Sequence, residues 1–458
     1  MVAIQQNTPL PIDQSSNSIP IRILEVELGQ PLSTISAFDE KKGCSYRRAR
    51  CLVRLHTQPL GLVELEIEES ELRPEAYAPK IWQELGVQIN EHLQQDGLPA
   101  ITELTAEGLP SSSDPRCIEE RNKFLADAPF VSVVVPTHDR VDRLALCLRS
   151  LLALHYPHYE IIVVDNAPST NATADLIKQM SIDEPKVRYV REDRPGPSWA
   201  RNCGIKVAKG KILAFVDDDI IVDSYWLVEI VRTFGVSDKV ACVTGLVLPI
   251  ELETPAQIWF EDRDGYIPQF TRQIFDMTRH RPKDRLFPYT ADRLGGGGNT
   301  ALTAEFLQRV GGFDPALGGN GPARCCQDVA LFFQVIVQGY QLVYTPAPLV
   351  YHHHYQDYRS LCKRTYNQGI GYTAYLTKCL LENPHLVLDF ISKVPYGLFC
   401  ALNPWSPKVS RKQAHYPKEL GKELGKLRWK GMMYGPFAYL RSRKLMRKLQ
   451  DITVPLEA

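Results

Sequence analysis

Asp217, Asp218 and Asp219 stand directly after five apolar residues, Ile212 to Val216. Three adjacent carboxylates repel one another, and at the end of a buried strand they also lose water. A hard divalent cation with oxygen ligands relieves both penalties, and a phosphate can complete its shell. The competing reading is an acidic turn or helix N-cap, since Asp favours both. Asp328 lies at the start of an expected helix in Cys326-Gln327-Asp328-Val329-Ala330-Leu331. An acid is favoured there electrostatically, and a single well-placed carboxylate is also what a general base requires. His352-His353-His354 follows Leu349-Val350-Tyr351. In a strand His352 and His354 share a face, and neutral imidazole suits a divalent metal such as manganese. Histidines at a surface or core edge are the alternative.

Three further segments have chemistry to offer. Asp165 closes an apolar run and precedes Asn166, Pro168 and Ser169. Its carboxylate can accept hydrogen bonds from a nucleobase edge or ribose, although Asp-Asn is also ordinary turn chemistry. Arg194-Pro195-Gly196-Pro197 leads into Ser198-Trp199-Ala200-Arg201. That is a tight loop into a helix, with Arg201 in its first turn facing a diphosphate or solvent. Gly295 to Gly298, followed by Asn299 and Thr300, costs backbone entropy that close approach to a ligand would offset; a flexible linker is the alternative. Neither GxGxxG nor GxxxxGK[ST] occurs, so a dinucleotide fingerprint and a P-loop are not supported.

The elements that must position these residues are short apolar runs alternating with helical patterns. Val131 to Val135, Ile161 to Val164, Val187 to Val190 and Ile212 to Val216 read as strands; Leu144 to Leu154 and Ser198 to Ala208 read as helices. This predicts an α/β fold with a doubly wound sheet covered on both faces, whose ligands sit beyond the carboxyl ends of its strands. Three of the four runs are followed within a few residues by acids: Asp139, Asp165 and the Asp217 to Asp219 triplet.

Around this core, residues 1–20 read as a disordered leader and 21–108 as a small α+β module. Its strands are Arg50 to His56 and Leu62 to Ile67, and its helix Pro79 to Leu93. Residues 109–129 read as a linker, 130–356 as the catalytic domain, and 357–458 as a helical, basic region. Apolar residues make up 44% and charged residues 23%, enough for a sizeable core. Net charge is zero overall, but thirteen Lys or Arg face two Glu between Lys408 and Lys448. Such a tail suits an anionic surface, such as the inner face of a membrane, as well as it suits solvent. Eleven cysteines without a CxxC pair form neither a disulfide framework nor a zinc ribbon, which fits a reducing cytoplasm. No signal segment and no spanning run of about 18 apolar residues is expected.

Taken in order, these segments resemble the inverting glycosyltransferases of family 2, which have the GT-A fold. VSVVVPTHDR resembles the first strand and donor loop, and EIIVVDNAPST the second strand with its base-contacting Asp. GPSWARNCGIKVAKGKILAFVDDD resembles the phosphate-side helix and the metal-binding DxD. GGGGNTALTAEFLQRVGGFDPALGGNG with the following QD resembles the acceptor block that carries the base. The resemblance implies that Pro136, Thr137, Asp139 and Asp165 line the nucleotide pocket, joined on the donor side by Arg201, Asp217 and Asp218. Asp217 and Asp219, with His352, would hold a Mn or Mg ion. Asp328 would be the base, and Gly298 and Asn299 would lie on the acceptor side. It further implies transfer of a hexose from a nucleotide-diphosphate donor to a carbohydrate or lipid-linked acceptor in polysaccharide or glycoconjugate synthesis. Two departures stand out: Gln327 replaces the usual Glu before the base, and His138 replaces Asn or Tyr. The aromatic loop from Pro255 to Tyr289, with Trp259, Phe260, Tyr266 and Phe270, is either an acceptor wall or core. A sugar-phosphate nucleotidyltransferase and a non-catalytic sugar-nucleotide-binding scaffold remain as rival readings.

Overall fold

The computed structural model describes residues 19–110, 115–265, 268–318, 320–402 and 418–450. Nearly all of the expected leader, Tyr266, and the first basic residues of the tail lie outside them. The N-terminal module is a three-stranded sheet of β1 (Ile21–Glu27), β2 (Arg48–Leu55) and β3 (Gln58–Glu66), with β2 in the centre. One helix, α1 (Pro74–Gln95), lies on it. Tyr77, Ile81, Leu85 and Ile89 recur at helical spacing and are buried, so a single stripe meets the sheet. The helix begins at Pro74, not Pro79, because Pro74 suits its first turn and buried Tyr77 and Ala78 extend the stripe by one turn.

The expected linker is corrected by a helix, α2 (Arg116–Leu125). Its Arg121 is buried, donates to Thr57 Oγ1 at 2.7 Å, and stacks 3.8 Å from the Tyr225 ring centroid. These contacts tie α2 to both the N-terminal module and the main domain. A solvated linker would have no use for a buried arginine.

The main domain follows as β4 (Val131–Thr137), α3 (Val141–Leu152), β5 (Tyr159–Asn166), α4 (Ala172–Met180), β6 (Val187–Glu192), α5 (Pro197–Val207) and β7 (Ile212–Phe215). Next come β8 (Ile220–Val222), α6 (Trp226–Phe234), β9 (Val240–Pro249), α7 (Pro255–Asp264) and β10 (Gln273–Phe275). Then β11 (Thr300–Thr303), α8 (Ala304–Val310), α9 (Gln327–Val337) and β12 (Gln341–His352) complete it. The sheet has nine strands in the order β6-β5-β4-β7-β11-β9-β12-β8, with β10 on β12. The first four are mutually parallel, whereas β11 runs antiparallel to both β7 and β9. Strand order therefore reverses between β4 and β7, which opens a crevice at their carboxyl ends. Every residue of β4 and β5 is buried, as expected for strands covered on two faces. On α5, a Cβ at Gly204 would lie 2.4 Å from Val134 Cγ1, so glycine lets this helix sit against β4.

The C-terminal region is helical: α10 (Tyr358–Glu382), α11 (Val387–Leu402) and α12 (Lys418–Gln450). α10 and α12 cross at backbone contact, because a Cβ at Gly369 or Gly431 would lie 2.2 Å from the carbonyl oxygen of Arg428 or Tyr366. Among the described residues no helix is long and apolar enough to cross a membrane.

Candidate active site

The crevice gathers the acidic triplet with two arginines. Asp218 is buried and accepts from Thr137 Oγ1 at 2.8 Å, which joins the ends of β4 and β7. Arg140, outside the set read from the sequence, places Nη1 3.2 Å from Asp218 and 3.3 Å from Asp219. Arg201 donates from Nη2 to Asp217 Oδ1. Arg201 is itself buried, and its Nε and Nη1 make no hydrogen bond within the protein. Two arginines thus meet part of the charge expected to need a metal. They do not meet all of it. Burial, with Asp217 and Asp218 adding repulsion, pushes the Asp219 carboxyl up to about 7. One buried oxygen of Asp219, Oδ1, accepts no hydrogen bond, and His352 Nε2 lies 3.7 Å from it. Burial, reinforced by neighbouring cationic groups, holds His352 well below its usual range, so its imidazole is neutral.

These residues fit a divalent cation: a carboxylate oxygen without a partner faces a neutral imidazole, beside a second carboxylate on Asp217. Asp219 and His352 form the close half. Asp217, Asp219 and His352 together do not converge within 4.8 Å. His352 is oriented by His354, whose Nδ1 is 3.0 Å from its own Nδ1; His354 Nε2 lies 2.9 Å from Glu261.

The glycine run lies against this group. A Cβ at Gly297 would lie 2.3 Å from Asp328 Oδ2, and one at Gly298 would lie 3.1 Å from Asp217 Oδ2. The close approach that the glycines permit is to these carboxylates, which the loop separates. Asp328 sits in the first turn of α9 and is half-buried. Burial raises its pKa, while the Arg201 charge opposes the rise. A raised pKa makes a carboxylate a stronger base.

The remaining expectations divide. Asp139 adopts a positive φ of 51° and accepts from the Ser169 amide at 3.1 Å and from its hydroxyl. Those hydrogen bonds hold its pKa down and shape the loop beside β5. Pro136 and Asp165 are buried in their strands, and Asp165 Oδ1 accepts no hydrogen bond within the protein. Asp165 shares the face of Ile161 and Val163 by strand alternation, and its Oδ2 accepts from the Tyr189 hydroxyl at 3.0 Å. The next residue, Asn166, missed in the sequence, does reach the crevice loop. Its Nδ2 donates to the Arg194 carbonyl at 2.8 Å and its Oδ1 accepts from Gly196 N at 2.7 Å. Only its position beside Asp165 hinted at this.

Asn299 is also corrected. It is fully buried, donates to the Leu246 and Pro348 carbonyls at 2.9 and 2.8 Å, and accepts from Trp226 Nε1 at 2.8 Å. It therefore clamps β9, β12 and α6 and does not face an acceptor. Asn299→Ala strands these groups, and we expect a loss of about 1–3 kcal/mol in stability, read as a lower melting temperature. An acceptor residue would instead shift acceptor KM at unchanged melting temperature. Trp259 and Phe260 are core, packed with Leu361, Cys362, Leu420 and Leu424, and Phe270 packs against Leu246 and Leu349.

Residues 132–285 match the sequence model described as glycosyl transferase family 2. That span holds Arg140, Arg201 and the acidic triplet, whereas Gly297, Asp328 and His352 lie beyond it. The glycosyltransferase AglE of Haloferax volcanii is 36% identical over 110 residues, which is 23% of this chain and 36% of the relative. The O-antigen biosynthesis protein RfbC of Myxococcus xanthus is 27% identical over 313 residues, 66% of this chain and 23% of the relative. The chain thus spans little more than a third of the first of these relatives and about a quarter of the second. A solved mannosyltransferase of Pyrobaculum calidifontis, in complex with GDP-Man and Mn2+, is 18% identical. The match covers 74% of this chain and 95% of that one, with a TM-score of 0.43.

Proposed function

We propose that this chain, whose residues 132–285 match the sequence model described as glycosyl transferase family 2, moves a sugar from a nucleotide-diphosphate donor to an acceptor hydroxyl with inversion. The observation that carries this is the meeting of Arg201, Asp217 and Asp328 around one glycine loop at the switch point of the sheet, with Asp219 beside Asp217. A divalent cation bound by Asp219 and His352, with Asp217, would neutralise charge on the departing diphosphate. Arg201 offers that diphosphate two buried nitrogens, Nε and Nη1, that have no protein acceptor. Arg140 adds positive charge at the rim. Asp328 accepts the proton of the attacking hydroxyl, and attack opposite the leaving group inverts the anomeric carbon in one displacement. Gln327 is no obstacle to this, since the base role needs only the Asp328 carboxylate.

A donor screen tests the reading: nucleoside diphosphate release is measured with manganese or magnesium, with Asp219→Ala alongside. Release from at least one donor in the wild type, and far less in the variant, supports it. No release above the variant from any nucleotide sugar contradicts it.

We further propose that α12 rests on an anionic membrane. Lys426, Lys430, Met433, Phe437, Leu440 and Lys444 recur at helical spacing and are exposed, with Met433 and Phe437 at 74% and 70%. An apolar centre flanked by lysines suits a lipid surface. Full-length protein should sediment with phosphatidylglycerol vesicles and much less with phosphatidylcholine. Phe437→Glu with Met433→Glu should abolish sedimentation while donor hydrolysis in solution persists. Equal sedimentation of that variant would contradict the assignment.

A further inference from the structure

Among the described residues, His56, His92, Asp96 and Cys117 each offer a ligand atom within 4.8 Å of the other three. None belongs to the crevice. His56 follows β2 at a positive φ of 54°, His92 is in the last turn of α1, Asp96 caps that helix, and Cys117 opens α2. His56, His92 and Asp96 are buried.

The internal hydrogen bonding of this cluster is crowded. Asp96 Oδ2 lies 2.7 Å from His56 Nδ1, 3.1 Å from His92 Nε2 and 3.1 Å from Cys117 Sγ. The two histidine nitrogens are 3.0 Å apart. If both carry protons toward Asp96, two N–H groups collide. If one does not, its lone pair faces the carboxylate. Protons alone satisfy the four atoms only through a hydrogen bond that one imidazole N–H shares between Asp96 Oδ2 and the other imidazole nitrogen, whereas a cation at their centre takes a lone pair from each. His56 Nε2, buried without a partner, then carries the proton of the coordinating tautomer. Two imidazoles, a thiolate and a carboxylate are all ligand types that zinc accepts, and four protein ligands with no open position suit a closed, structural site.

We propose that His56, His92, Asp96 and Cys117 bind one zinc ion that fastens α2 to the N-terminal module, and so steadies the face that both present to the main domain. The neighbouring contacts show what would be fastened. Thr57, next to His56, accepts from Arg121 of α2, and Arg121 lies against Tyr225 and 3.6 Å from Glu229 of α6. Arg54 reaches across to Asp223, just past β8, at 2.8 Å. Binding releases the Cys117 proton, so zinc uptake is accompanied by acid release.

The test uses the full-length chain without a histidine tag, purified with and without a strong chelator. One zinc per chain is expected by elemental analysis, with a melting temperature that falls on chelation and returns with zinc. Cobalt in place of zinc should give a thiolate-to-metal charge-transfer band that Cys117→Ser abolishes. Asp219→Ala should keep the zinc, which separates this site from the crevice. His92→Gln should weaken zinc binding at least roughly tenfold, judged on scattering-checked, folded protein. Wild-type chain that takes up no zinc from stoichiometric metal, with a melting temperature indifferent to zinc, overturns the proposal. So does a cobalt band that persists in Cys117→Ser. Both readouts use wild-type protein as reference and neither depends on transferase activity.

Discussion

Asp328→Asn is expected to lower kcat by about 10²–10⁴-fold, the range a positioned general base contributes, while donor affinity changes little. The substitution keeps shape, so the contact with the Gly297 backbone survives; it removes only the ability to take a proton. The same carboxyl sets a pH signature. Its pKa is raised by burial against the opposing pull of Arg201. The base works ionised, so the acid limb of kcat should lie above the ordinary carboxylate range and vanish in the variant. Stopped turnover assays across pH measure both. A variant with near wild-type kcat and an unchanged acid limb would assign the base elsewhere and favour a scaffold.

Asp219→Asn is expected to abolish manganese binding and to cost at least about 100-fold in kcat/KM, as the loss of one site group that stabilises developing charge typically does. The cation response should also depend on pH. The folded-state pKa of Asp219, about 7, stands above its ordinary value of 3.8. The neutral carboxyl therefore favours the fold at low pH, and this contribution is lost as pH rises through about 7. A cation offsets the resulting charge. Manganese should thus raise the melting temperature more at pH 8 than at pH 6. The gain is about 2.7 kcal/mol at a hundredfold excess over Kd, and none is expected in the variant. A manganese shift independent of pH would place the ion elsewhere.

Much of this was legible in the sequence because burial on two faces leaves a plain trace. Continuous apolar runs mark β4, β5 and β7, and the acids after them mark the carboxyl edge. Arg201 and Asp328 could be placed because each sits near the N-terminus of a helix. What escaped depends on tertiary partners. Arg140 looks like any surface arginine until Asp218 and Asp219 stand beside it. Asn299 looked like a ligand-facing residue after a glycine run, yet Trp226, Leu246 and Pro348 claim all its hydrogen bonds. Asp165 and Asn166 differ by one position, and strand alternation alone decides which reaches the loop. Of His56, His92, Asp96 and Cys117 only the His92–Asp96 pair has a helical spacing, and the sequence does not show that a hairpin and a second helix add the other two.

In the proposed reaction the acids at the crevice hold a cation against a nucleotide's diphosphate. Calorimetric titration of a nucleoside diphosphate, with manganese and then with chelator, tests it most directly. At least about tenfold tighter binding is expected with the ion, and by reciprocity equally tightened manganese binding with the nucleotide. Affinity that is the same with manganese and with chelator would contradict it.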